Sequence, residues 1–339
     1  MKKKNKIKAL CLLSGGLDSR LACKIMQEQA EVEAVYFDLP FGSGCCKSHC
    51  AFNFAQMSGI KMRIIDCTKG ILFKKYIDML RHPKYGYGAG INPCIDCHIF
   101  ILKEAKKLAA EIKADIIVTG EVLNERPMSQ HKKALQRVEE ESGLKGMLLR
   151  TLSAKFLPET EAEKRKLIDR SKLLDLQGRQ RKMQIELAEK YNINYPSPGG
   201  GCMLCEKEFS AKLRDLLKNE ARVSEKDIQL LKIGRHFRIN GIKVIVGRSE
   251  EENSKLEILS EKGNLLIEAC DGIPSPVTLI RNEKETPEIV ITLAAGLTAK
   301  YSDGKNDSIK VRISSHNGDY KEQTAKKPSQ EEIEKLRIN

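Results

Sequence analysis

An α/β fold, a doubly wound parallel sheet with a smaller C-terminal α+β domain, is what this 339-residue sequence predicts. Three observations lead there. Residues 6–120 alternate short, continuous apolar runs with helical patterns, as repeated βα units do when helices cover both faces of their sheet. A Gly-rich turn, Ser14-Gly15-Gly16-Leu17-Asp18-Ser19, lies directly between the first apolar run and the first helix. Later, two short apolar runs flank Asn240-Gly241, the strongest short hairpin signal available.

Taken in order, Ile7 to Leu13 reads as the first strand and the helix after it runs to about Gln29. Glu33 to Phe37, Lys61 to Asp66 and Asp115 to Thr119 read as the next three strands. Helical patterns fall at Cys46–Ser58, Phe73–Arg81 and Cys97–Glu111. Ligands of such sheets sit beyond the carboxyl ends of the strands, here at Ser14, Asp38 and Gly120. Arg179–Lys190 and Ser210–Asn219 read as helices, and Ser224-Glu-Lys-Asp227 as a capping box opening another. The hairpin strands are Arg235 to Ile239 and Ile242 to Val246, followed by further short strands and one helix. The boundary falls near 220–234: residues 1–220 form the larger domain, 221–325 the smaller, and 326–339 a charged tail with a frayed helix.

Composition narrows the classes. Apolar residues make up 41% and charged residues 31%, enough for a core and against wholesale disorder. No Trp and 5% aromatics argue against a carbohydrate-stacking or aromatic-cage protein. No apolar run reaches 18 residues, and Ser14-Gly15-Gly16 cuts short the run after the N-terminal lysines, so neither a membrane span nor a secretory leader is expected. The chain reads as cytoplasmic. Its net charge of +13 is graded: +9 over residues 1–150, +3 over 151–200 and +1 over 201–339. A polyanion meeting the front of the chain explains that gradient, as does a generally lysine-rich composition. Eleven cysteines without a leader read as thiols, ligands or nucleophiles rather than disulfide staples.

Ser14 to Ser19 suits a phosphate. Glycines let backbone approach an anion, helix-start N–H groups point at it, and Ser14 and Ser19 add hydroxyl donors. Asp18 is placed to hold Mg²⁺, and the lysine of a Walker A loop is missing. The six-residue string resembles the SGGxDS loop of the PP-loop ATP pyrophosphatases. That resemblance implies an adenine nucleotide alpha hydrolase-like fold and cleavage of ATP between the α and β phosphates, with adenylation of a carbonyl oxygen. It also implies an ATP site formed by Ser14, Gly15, Gly16, Asp18, Ser19, Phe37, Gly120 and Arg126.

Two Cys-x-x-Cys pairs stand apart. Cys94 and Cys97, after Asn92-Pro93, open a helix whose dipole favours thiolate, and Cys202 and Cys205 follow Gly199-Gly200-Gly201. Spacing alone leaves zinc, a redox dithiol and an iron–sulfur cluster open. Asn92-Pro93-Cys94-x-x-Cys97 resembles the active-site segment of the tRNA 2-thiouridylases, and Thr119-Gly120-Glu121 with Ser129-Gln130 resembles a loop of the tRNA 4-thiouridine synthetases. In cluster-dependent members of that group, three cysteines hold a [4Fe-4S] cluster. By motif these are Cys94, Cys97 and Cys202, with Cys205 a fourth ligand, a persulfide acceptor or a bystander. Asp96, between the ligands, reads as a helix-start aspartate or as a group orienting base or cluster. Cys45, Cys46, His49 and Cys50 read more readily as helix packing than as a metal site or sulfur relay. Cys11, Cys23, Cys67 and Cys270 read as core.

Gly120 to Arg150 carries Arg126, Lys132, Lys133, Arg137, Lys145 and Arg150, suited to RNA phosphates or simply to a solvated helix. Gly241 to Arg248 with Glu251-Glu252-Asn253 and Leu256 resembles the RNA-binding domain of NFACT-type ribosome-associated proteins over about 235–260. The first strand begins at residue 7, so the THUMP domain usual in 4-thiouridine synthetases is not expected, which leaves the modified uridine open. The combined expectation is an ATP-dependent tRNA sulfurtransferase, with ATP, Mg²⁺ and a [4Fe-4S] cluster. It would act on tRNA, with inorganic sulfide or a sulfur-donor protein supplying sulfur to C4 or C2 of a uridine. The rivals are a PP-loop ligase and an RNA-binding adaptor, each with structural zinc on the cysteines.

Overall fold

The computed structural model describes residues 7–42, 48–197, 202–282 and 285–339. They divide into two compact units, Met1–Cys205 and Glu206–Asn339.

The first unit begins β1 (Ile7–Leu12), α1 (Leu17–Gln27), β2 (Ala30–Asp38), α2 (Ser48–Met57), β3 (Lys61–Asp66) and α3 (Gly70–Arg81). It continues with α4 (Cys94–Glu111), β4 (Ile116–Thr119), α5 (Lys132–Glu141), β5 (Leu148–Arg150), α6 (Glu161–Lys164) and α7 (Lys182–Lys190). Its five strands are parallel in the order β3-β2-β1-β4-β5. The chain runs outward from β1 to β3 and then returns to β1's other side, so the order reverses between β1 and β4. Loops at such a switch point part and leave a crevice at the strand ends.

Continuous apolar strands follow from burial on both faces. Ala9 and Cys11 of β1 join a core with Leu21, Met26, Ala51 and Ala188, on the side of α1, α2 and α7. Leu10 and Leu12 face the other way, toward Leu102, Ala105 and Val138 of α4 and α5. β2 repeats the alternation, with Tyr36 in the first core and Phe37 packed on the second. The three-residue strand β5 escaped the sequence reading because it is too short for periodicity to register.

The second unit comprises α8 (Lys207–Asn219), α9 (Glu225–Leu231), β6 (Arg235–Ile239), β7 (Ile242–Val246) and α10 (Glu250–Leu259). β8 (Leu265–Ala269), β9 (Thr278–Arg281), α11 (Glu288–Lys300), β10 (Ser308–Ser315), β11 (Tyr320–Lys326) and α12 (Gln330–Leu336) complete it. Its six strands form an antiparallel sheet, β11-β10-β8-β9-β7-β6, with α11 packed on one face through Val290, Ala294 and Leu297. Asn240 (φ 46°) and Gly241 (φ 80°) form the expected tight turn of the β6–β7 hairpin. Ser224 and Asp227 close the expected capping box. Two helices rather than one, α10 and α11, lie between the hairpin and the tail. The tail is not frayed: Ser329 caps α12 reciprocally with Glu332, and Ile333 is fully buried in the sheet's core. That buried residue anchors a helix whose charge suggested exposure. Among the described residues, no helix is long and apolar enough to cross a membrane.

Candidate functional site

The β1–α1 loop is built as an anion cradle. Gly15 has φ +88°, a left-handed conformation that favours glycine, although a Cβ there would meet Ala51 only at ordinary contact distance. Gly16 caps α1 with no side chain on the helix N–H groups, leaving those donors available. The Ser19 hydroxyl donates to the Gly16 carbonyl at 2.8 Å and lies 3.2 Å from the Ser14 hydroxyl. Arg20, buried and unremarked in the sequence, secures the loop from beneath. Its Nε donates to the Gly15 carbonyl at 2.7 Å, Nη2 to the Cys50 carbonyl at 3.1 Å, and Nη1 to the Asn194 carbonyl.

Asp18 is the reactive-looking member. Its Oδ1 is buried without a hydrogen-bond partner. Burial and the nearby Glu125 carboxylate push the carboxyl up to about 6, against the opposing pull of Arg181, Arg126 and Gln184. An orphaned, costly carboxylate oxygen beside a phosphate cradle is the donor chemistry a hard cation such as Mg²⁺ takes.

The β4 end meets this loop directly. A methyl on Gly120 would lie 2.5 Å from the Asp18 carbonyl carbon and oxygen and 2.7 Å from the Ser19 nitrogen. Gly120→Ala is therefore expected to displace the cradle, raising KM for ATP at least about tenfold and lowering stability by about 1–3 kcal/mol. ATP titration and thermal unfolding check this.

Beyond Gly120, the 122–130 loop is tied across its base. Asn124 N–H donates to the Gln130 carbonyl at 2.8 Å, Arg126 N–H to Gln130 Oε1 at 3.0 Å, and Gln130 N–H to the Arg126 carbonyl at 2.9 Å. Arg126 itself is exposed, and among the described residues it makes no ion pair. Its charge acts on Asp18 on one side and on Cys94 and Cys202 on the other.

Two separated segments bring the thiols together. Cys94 and Cys97 open α4, and Ile91 N–H donates to the Leu204 carbonyl at 2.9 Å, joining that segment to the Met203–Cys205 turn. Asn92 Nδ2 donates to Cys94 Sγ at 3.1 Å, Tyr76 Oη lies 3.5 Å from Cys97 Sγ, and Cys202 Sγ is 3.6 Å from the Phe41 carbonyl. Cys94, Cys97 and Cys202 are partly buried and Cys205 is exposed; Cys205 acts electrostatically on Cys94 and Cys202, and Cys94 and Cys202 act on Cys97. The thiolate preference expected from the α4 dipole does not hold. Burial pushes Cys97 up to about 12 and Cys202 up to about 11, so these sulfurs stay protonated until a cation displaces the proton. Protonated and partly buried, these thiols are poor free nucleophiles. Among the described residues, no three His, Cys, Asp or Glu side chains converge as a site for a single metal ion.

Other expectations are redistributed. Asp96 serves local structure, accepting from the Lys84 and Tyr85 N–H groups at 3.0 and 3.1 Å. Arg150 is no RNA contact: it is buried, its Nε donating to Glu121 Oε2 and its Nη1 to Glu139 Oε2, both at 3.0 Å. Phe37 is half-buried against the α4 face. Cys11, Cys23, Cys67 and Cys270 are buried, His49 is exposed, and Cys45, Cys46 and Gly199 to Gly201 lie outside the described residues.

Sheet order, switch point and Gly-rich loop define a PP-loop nucleotide-binding fold. Residues 7–185, more than half of the chain, match the family model of the tRNA methyl transferase HUP domain, and the chain belongs to that family, within the PP-loop superfamily. Residues 234–337 match the model of the NFACT protein RNA binding domain, well beyond the hairpin that suggested it. The first unit is thus a PP-loop, ATP pyrophosphatase-like domain of a tRNA-modifying family.

Solved structures resemble the chain loosely. The C-terminal part of the fibronectin/fibrinogen-binding protein from Streptococcus suis is 14% identical, over 78% of this chain and 94% of that one, with a TM-score of 0.28. A predicted subunit of tRNA methyltransferase from Methanocaldococcus jannaschii is 19% identical, over 48% and 72%, with a TM-score of 0.29. NH3-dependent NAD synthetase from Campylobacter jejuni is 12% identical, over 68% and 84%, with a TM-score of 0.31. No curated protein matches the sequence.

Proposed function

We propose that this protein is an ATP-dependent tRNA sulfurtransferase that activates a uridine carbonyl, at C4 or C2, and exchanges its oxygen for sulfur. The observation that carries the reading is the end of β4, where Gly120 closes on Asp18 and Ser19 of the phosphate loop and the adjoining Glu121 holds His98, one helical turn after Cys94 in α4. An adenylating centre and a sulfur-handling centre then share one crevice.

In this reading Ser14, Gly15, Gly16 and Ser19 bind the β and γ phosphates through backbone N–H and hydroxyl groups. Phe37 borders the adenosine, Gly120 keeps the loop closed, and Arg126 faces the α phosphate. Asp18 holds Mg²⁺, which when bound offsets phosphate charge. The uridine oxygen attacks the α phosphorus, an O–P bond forms, and the bond to pyrophosphate breaks. Sulfide then forms a C–S bond at the activated carbon as the C–O bond to AMP breaks. Cys94, Cys97 and Cys202 hold the [4Fe-4S] cluster, which when bound supplies iron that keeps sulfide deprotonated and nucleophilic. Asn92, through its bond to Cys94, orients one ligand. Residues 1–220 carry this chemistry, and 221–325 bind tRNA.

Two measurements test this. A deletion strain is expected to lose one thiouridine from its tRNA by mass spectrometry; an unchanged thionucleoside profile would sink the proposal. Anaerobically purified protein is expected to be brown, with about four iron and four sulfide per chain. Cys94→Ser, Cys97→Ser and Cys202→Ser should each abolish the colour, whereas Cys205→Ser should retain it. Colourless protein with stoichiometric zinc on these cysteines would refute the cluster.

A further inference from the structure

The second unit carries a cavity of about 690 Å³, lined by the start of β8, the start of α11 with the segment before it, and the β10–β11 hairpin. That volume suits one small molecule or one flipped-out nucleotide. Leu265, Ile291 and Ile313 supply apolar lining. Tyr320, 63% exposed, supplies an aromatic ring, with the Arg312 guanidinium over it at 4.9 Å from the ring centre. The polar lining accepts more than it donates. Lys321 pairs with Glu288 at 3.0 Å, but Glu285 and Asp319 make no ion pair among the described residues. The Ser315 hydroxyl, also in the lining, has no hydrogen-bond partner among the described residues.

Charge points the same way. Residues 201–339 carry a net charge of +1, too little to hold RNA by phosphate attraction alone. RNA binding by this unit then draws on its bases. We propose that the cavity receives one unstacked guanine of single-stranded RNA. The inference rests on the proposed binding of tRNA by residues 221–325. Guanine alone among the four bases carries two adjacent donors, N1–H and N2–H, on its Watson–Crick edge, the pattern a carboxylate takes in a bidentate pair. Adenine and cytosine offer an amino group beside a ring acceptor, and uracil one N–H between two carbonyls. Each of these would set a lone pair against a carboxylate, which costs more than a missing bond. Glu285 and Asp319 take the donor edge, Ser315 donates to O6, and Tyr320 stacks on the base.

The test is fluorescence anisotropy of labelled RNA pentamers on the full chain: UUGUU, UUAUU, UUCUU, UUUUU and UUIUU, whose inosine keeps N1–H and lacks the 2-amino group. UUGUU is expected to bind at least about tenfold more tightly than the adenine, cytosine and uracil pentamers, with UUIUU between. Glu285→Gln combined with Asp319→Asn should bring that ratio to about one, and Tyr320→Leu should weaken every pentamer. The double variant removes two negative charges, so electrostatics alone would tighten all five equally; loss of the ratio is the specific sign. Both carboxylates are exposed, so thermal unfolding of the double variant should match wild type. Equal affinities for UUGUU and UUAUU, or a guanine preference that survives the double variant, would overturn the inference. So would an arginine-containing peptide that binds more tightly than UUGUU and is lost in the same variant, which would make the cavity a protein contact. A chain that binds neither tRNA nor any pentamer defeats the RNA-binding reading and this inference with it, whereas tRNA binding without a guanine preference defeats the inference alone. Thiolation is judged separately, by the mass spectrometry of tRNA.

Discussion

Glu121→Gln is expected to destabilise the first unit by about 3 kcal/mol at pH 7, because it strips one counter-charge from a fully desolvated arginine. Arg150 would keep Glu139 and the Leu135 carbonyl, so the loss falls short of a wholly unpaired buried charge. The sign of the pH dependence follows. Glu121 titrates well below its ordinary 4.5 in the folded chain, so its contribution is complete above that value and is lost as the pH falls. Wild type and Glu121→Gln should therefore differ most near neutrality and converge in acid. Denaturant unfolding at pH 7 and at about pH 2, well inside the window that opens below 4.5, measures this; equal stabilities at pH 7 would remove the buried pair from the account.

Asp18→Asn should have the opposite effect on stability and a larger one on activity. The folded carboxyl titrates near 6 against an ordinary 3.8, so the native state binds the extra proton between those values. Stability then falls as pH rises through that window, and at pH 8 without metal the charged carboxylate costs about 3 kcal/mol. The amide removes that cost, so Asp18→Asn should unfold at a higher temperature than wild type in EDTA at pH 8, with the gain fading below pH 4. Formation of AMP and pyrophosphate should fall by about 10³-fold or more, since the ligand for Mg²⁺ is gone. A variant that is both more active and less stable would contradict the role assigned to Asp18.

The fold was largely legible because its signals are local. β1 and β4 are short apolar runs, and Ser14 to Ser19 fills the turn between a strand and a helix, so one stretch of chain carries the information. The charged network of the crevice was not legible. Glu121 meets Arg150 and His98 across gaps of 29 and 23 residues, and neither hydrophobic periodicity nor a motif links them. Arg150 and Arg126 look alike on the page, yet one is buried against two carboxylates and the other is exposed in the loop. For His98 a hint existed in its i+4 spacing from Cys94. The misjudged thiols teach the same lesson: a helix start favours thiolate, but burial outweighs the dipole at Cys97.

The thiol site also has a timetable. Its first pair and Cys202 are separated by 104 residues, and the Ile91–Leu204 bond cannot close before both segments exist. At about 5–20 residues per second on the ribosome, Cys94 and Cys97 wait roughly 5–20 s for their partner. During that interval they are ordinary, accessible thiols, open to oxygen and stray metal. Under the proposed function, a cluster could load only after the first unit is complete.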